Sequence, residues 1–127
     1  LTQTVAQSLH ISFTDAERLK VLYGLTRGRA RGTIARALMS PVAELGAALA
    51  GLLRYYANHF SAAAPLQRCL LTGGGAQMLG LPEALASLLK MPVMIGDPRR
   101  ALHGPTLIPS GRLPSFTTAI GAALHPL

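Results

Sequence analysis

The sequence predicts an α/β fold that is mostly helical and carries two short parallel strands. Three observations predict it. Cys69-Leu70-Leu71 is an apolar run the length of a buried strand, and it stops at Thr72 before three consecutive glycines, Gly73, Gly74 and Gly75. A second short run, Val93-Met94-Ile95, follows Pro92, and the stretch from Pro82 to Lys90 has helical spacing. The three together read as strand, right-handed crossover helix and parallel strand. The rest is rich in alanine and leucine, with three Phe, three Tyr and no Trp, which favours helices over a β-rich core.

Taken in order, Leu1, Val5 and Leu9 lie four apart and place one apolar stripe on a short helix. Thr14-Asp15-Ala16-Glu17 has the form of a capping box, opening a helix that should run to Tyr23 and stop at Gly24. Thr26 to Gly32 (T-R-G-R-A-R-G) has three arginines at alternate positions without an aromatic, the pattern of a solvated loop. Ser40 and Pro41 suit an N-cap and first turn, and Val42, Leu45, Leu49, Leu52 and Tyr56 mark a buried face beyond them. Ala47, Ala48, Ala50 and Gly51 keep that helix slim. Asn58 to Pro65 reads as a turn. Leu81, Leu85, Leu88 and Leu89 make the inner face of the crossover helix. Gly96 to Arg112 reads as a long loop, and Ser115 as the cap of a last helix whose Ile120, Ala123 and Leu124 face inward. Two strands cannot cover all these faces, so further strands are expected from upstream.

The length of 127 residues is one domain's worth. Twelve Lys and Arg against five Asp and Glu give a formal charge of +7, an excess that attracts polyanions. Charged residues are 13% of the chain, against about 25% in an ordinary domain, as if part of the surface were normally covered. The single Cys69 cannot form an internal disulfide; a reducing compartment and a buried, hydrophobe-like thiol follow. The most apolar window, residues 37–53, carries Pro41 and Glu44 and is short for a membrane span, so the chain reads as soluble. His10, His59, His103 and His125 fit no metal spacing, the acids are scattered, and no G-x-S-x-G turn is present. The residues thus form no catalytic constellation.

Glycines at a strand tip let a ligand approach the main chain, and in doubly wound sheets ligands sit at that end. A glycine-rich strand-to-helix turn without a ligand explains them equally well. The neighbours bear on the choice. L-T-G-G-G-A-Q-M-L-G-L, with Leu85-Ala86-Ser87-Leu88-Leu89 and Met91 to Pro98 behind it, resembles the adenosine-motif region of actin-like ATPases. Within them it is most similar to the bacterial PilM and FtsA group, which serve type IV pilus assembly and cell division. Asp15 to Lys20 resembles that group's A-E-x-x-K helix, and Pro114 to Leu124 its closing helix. The short Thr26–Gly32 loop is closer to the pilus branch.

The resemblance implies a partial, ribonuclease H-like actin-like ATPase domain. It implies a helical nucleotide-clamp subdomain over residues 1–32 and part of the sheet-bearing subdomain over 33–127. It implies ATP or ADP as ligand, with Mg only in the complete protein. Gly73, Gly74 and Gly75 would offer backbone beside the adenosine, with Gln77 and Met78 along the base. Glu17 would hold the ribose, and Lys20 would line the base or reach toward phosphate. The group's two phosphate-binding loops have no counterpart in this sequence, so the chain looks like the C-terminal third of such a protein, incomplete and not catalytic alone. The implied partners are the adenine nucleotide, N-terminal subdomains or a partner subunit, and membrane-associated pilus or division machinery, in the cytoplasm at the inner face of the membrane. Two alternatives stay open. One is an interaction module with a structural glycine turn. The other, less favoured, is a small nucleic-acid binder using Thr26 to Gly32, Arg36 and Arg99-Arg100.

Overall fold

The computed structural model describes residues 1–26, 32–60, 64–102 and 109–124. Five α-helices and two strands run in the order α1 (Thr2–Leu9), α2 (Phe13–Tyr23), α3 (Thr33–His59), β1 (Cys69–Leu71), α4 (Leu81–Leu89), β2 (Val93–Ile95) and α5 (Thr117–Leu124), with short 3₁₀ helices between. The strands pair in parallel, with Cys69 opposite Val93, Leu70 opposite Met94 and Leu71 opposite Ile95. The helix between them is α4, so the mostly helical α/β fold and its crossover unit are as the sequence predicts.

One core holds the helices together. Val5 of α1, Ala16 of α2, Ile34, Leu38 and Val42 of α3, and Leu81 and Leu85 of α4 are buried in it with Met78. Leu71 and Val93 pack onto this cluster from the sheet. α3 and α4 approach closely at Gly46, where a Cβ would stand 2.6 Å from Leu88 Cδ1. At Gly24, with φ +48°, a Cβ would stand 2.3 Å from the carbonyl oxygen of Leu79. Only glycine can occupy that position, which is where the end of α2 meets the chain beyond the glycine turn.

Several sequence expectations need correction. The cap of α2 is Ser12, whose hydroxyl accepts from the amide of Asp15, and not Thr14. α3 does not start at Pro41; it begins at Thr33 and contains Pro41 in its interior. Proline there deprives the helix of one backbone bond. The helix continues because Ile34, Leu38 and Val42 bury one unbroken stripe across it. Ser40, freed from capping, donates to Glu44 Oε1 at 3.0 Å. Of the predicted buried face of α3, Val42 is buried, Leu49 packs half-buried against the core and Tyr56 is half-buried, whereas Leu45 and Leu52 are exposed. The slim contact is Gly46, while Ala47 and Ala48 face outward. Leu88 and Leu124 are exposed, and α5 buries nothing. Cys69 is half-buried rather than a core residue.

By length and composition α3 could also cross a membrane, although its first half forms the main core helix. The arginines of the basic loop, in residues 27–31, lie outside the described residues, as do 103–108 with His103.

Candidate functional site

β1 delivers the chain to the glycines. Gly73 takes φ +85° and ψ 172°, a conformation essentially confined to glycine. Its amide donates to the carbonyl of Pro114 at 2.7 Å, tying the strand tip to the 3₁₀ segment Ser110–Phe116 before α5. Gly74 to Gln77 then make one 3₁₀ turn, with the amide of Met78 donating to Gly75 O at 3.1 Å. Among the described residues, a Cβ built on Gly73 or Gly75 would meet nothing within 4 Å, and on Gly74 only Ser115 Oγ at 3.6 Å. Packing within the chain therefore does not demand glycine at 74 and 75; what their bareness leaves is backbone facing open space.

Gln77 and Met78 divide the roles the sequence gave them jointly. Met78 is only 3% exposed and belongs to the core, so its thioether packs against apolar side chains. Gln77 Nε2 is buried without a hydrogen-bond partner among the described residues. Leaving a buried donor unmet costs on the order of 1–3 kcal/mol, so the amide calls for an acceptor from outside the described residues.

Glu17 and Lys20 do stand together. Lys20 Nζ donates to Glu17 Oε2 at 2.7 Å and to Thr2 Oγ1 at 2.9 Å. Thr2 in turn donates to Glu17 Oε2. The Lys20 hydrogen bond, followed by that from Thr2, holds the Glu17 carboxyl below its ordinary range. Thr2 is the residue sequence reasoning missed. It lies fifteen positions from Glu17, and only the packing of α1 on α2 brings it there.

Leu25 N donates to Leu79 O at 2.8 Å, so the end of α2 is joined to the segment leaving the glycine turn. Lys20 is one helical turn, about 6 Å of rise, before Gly24. No described hydrogen bond links Glu17 or Lys20 directly to Gly73–Met78. A mostly apolar cleft of about 330 Å³, lined by Leu49, Leu53, Tyr56, Leu66, Cys69 and Leu89 with Arg68 as its charged side chain, opens at the far end of β1, away from the glycine turn. Among the described residues, no group of three His, Cys, Asp or Glu could hold a metal ion. Arg99, one of the candidate nucleic-acid contacts, is bound through Nε to both carboxylate oxygens of Asp97, at 2.9 Å each.

Comparison with known proteins bears on the same elements. The sequence profile described as "Cell division protein FtsA" matches residues 1–121, from α1 into α5. This chain belongs to the FtsA family. It is similar to the cell division protein FtsA of Rhizobium meliloti (strain 1021), at 29% identity over 99% of the chain and 33% of that protein. It is similar also to the cell division protein FtsA of Agrobacterium fabrum (strain C58 / ATCC 33970), at 28% identity over 99% of the chain and 32% of that protein. The chain thus spans 33% or less of the length of these curated FtsA relatives. The alignments run over 149 positions, more than the 127 residues present, so the FtsA relatives carry extra residues within the matched span.

Proposed function

We propose that this chain is the adenosine-binding part of an FtsA-type, actin-like ATPase serving cell division, and that it binds an adenine nucleotide without hydrolysing it alone. The observation that carries the reading is the glycine turn: Gly73 to Gly75 close a parallel strand with bare backbone facing open space. The unmet Gln77 amide beside it and the Glu17–Lys20 pair on α2 support it. Phosphoryl transfer requires phosphates and a metal ion held in position. This sequence has no D-x-G-type phosphate loop to hold them. Phosphate and Mg contacts are accordingly assigned to N-terminal subdomains or a partner subunit, with a ribonuclease H-like sheet completed there. The division machinery at the inner face of the membrane is the assembly this reading implies, in the cytoplasm. Family membership favours division over pilus assembly.

The test is an NMR titration of the ¹⁵N-labelled chain with adenosine and ATP. Saturable shifts at Gly74, Gly75 and Glu17 are expected, with affinity on the order of millimolar for a site open on one side. Gly75→Val should abolish them while leaving the melting curve unchanged, because a Cβ there meets no atom of the described residues. No shift at the glycine turn, or sustained ATP turnover that a substitution within this chain removes, would overturn the reading.

A further inference from the structure

We propose that Thr2 is a positioning residue of the nucleotide site: it fixes Glu17 as an acceptor for a ribose diol and turns Lys20 from a phosphate ligand into its buttress. The inference rests on the adenosine-site reading above and adds to it a residue and a ligand preference.

The geometry argues as follows. Two of the three N–H donors of Lys20 are taken, by Thr2 Oγ1 and Glu17 Oε2, and its side chain is 13% exposed. An ammonium so neutralised and enclosed is poorly placed to meet a phosphate. Glu17 is the reverse. Its Oε2 accepts from both Thr2 and Lys20, whereas Oε1 has no partner among the described residues and 45% of the side chain is exposed. One oxygen is held by two donors and the other is left to accept from a ligand, in a carboxylate kept ionised. A carboxylate oxygen of fixed orientation suits a pair of vicinal hydroxyls, which only donate to it. The triad is not required merely to fasten α1 to α2. Val5 and Ala16, both fully buried in the shared core, already do that. On the adenosine-site reading, in which Glu17 meets the ribose, the triad held by Thr2 favours a ligand with both ribose hydroxyls, largely regardless of its phosphates.

The test compares adenosine, 2′,3′-dideoxyadenosine and ATP, titrated by NMR into the wild-type chain, Thr2→Val, Thr2→Ser and Lys20→Met. Thr2→Val should weaken adenosine and ATP by roughly five- to tenfold, the loss of about one oriented hydrogen bond, and leave dideoxyadenosine unchanged. Thr2→Ser should restore wild-type affinity, and Lys20→Met should weaken adenosine and ATP by the same factor. Thr2→Val weakening all three ligands alike, or none, would overturn the proposal, as would Lys20→Met impairing ATP far more than adenosine. A ligand-free arm separates the two readings. The ¹³C titration of the Glu17 carboxyl should move up in Thr2→Val and return in Thr2→Ser. If it stays put while adenosine still binds, the positioning role fails and the nucleotide site stands. If the wild-type chain binds none of the three, the nucleotide site fails and takes the proposal with it.

Discussion

Glu17 illustrates how much depends on single side chains. Ser12 with Asp15, a pair the sequence reading passes over, has the same spacing as Thr14 with Glu17, each a hydroxyl followed three residues on by an acid. The structure uses the first, since Glu17 is engaged by Lys20 and Thr2 and only Asp15 remains for capping. The shared face of Glu17 and Lys20 was legible, because residues three apart on a helix are neighbours. Thr2 was not, since no local spacing reports a contact made between helices. A pH dependence follows. The Glu17 carboxyl is depressed in the folded chain, first by the Lys20 hydrogen bond and then by Thr2. Its contribution to stability is therefore complete above the unfolded value, about 4.5, and is lost as pH falls through the lower folded value. Urea midpoints of wild type and Glu17→Gln should differ most above pH 4.5 and converge in acid; a gap independent of pH would contradict the pairing.

At the scale of elements, α3 is where the sequence pattern was ambiguous. Its three- and four-residue spacings draw two stripes that share Val42: Ile34, Leu38, Val42 and Gly46, or Val42, Leu45, Leu49, Leu52 and Tyr56. Reading Pro41 as a helix start hid the first stripe, and Gly46 does not register as apolar at all. The choice is made by what packs there, for α4 sets Leu88 over Gly46. With 27 residues α3 is about 40 Å long, while the nine residues of α4 span about 14 Å, so the second half of α3 overruns its cover. The β1–α4–β2 unit was legible because its signals are local: two short apolar runs, a glycine turn and a helix of crossover length. Substitutions distinguish the two stripes. Leu38→Ala, at a fully buried site, should cost about 2–5 kcal/mol in urea unfolding. Leu52→Ala, at a side chain 64% exposed, should change stability by no more than about 0.5 kcal/mol. The reverse order would restore the second stripe.

The same overrun shapes the behaviour of the whole molecule. Leu52, Tyr55, Phe60 and Leu66 are exposed around the far half of α3, and the facing pair Leu70 and Met94 is exposed on the sheet with Ile95. α5 adds Leu124 and buries no residue. Exposed apolar surface of this kind drives association. The formal charge of +7 opposes it, because like-charged copies repel. Which force prevails depends on salt. The Debye length falls from about 30 Å at 0.01 M to about 8 Å at 0.15 M, so added salt removes the repulsion and leaves apolar contact untouched. The isolated chain should therefore self-associate more strongly as salt rises, and should bind a hydrophobic dye. That dependence runs opposite to nucleic-acid binding, whose affinity falls steeply with salt through counterion release. Sedimentation velocity across protein and salt concentration, with parallel dye fluorescence, reads both effects. A compact monomer under every condition, without dye binding, would mean that these faces are not adhesive; association that weakens with salt would mean that charge, not apolar surface, brings the copies together.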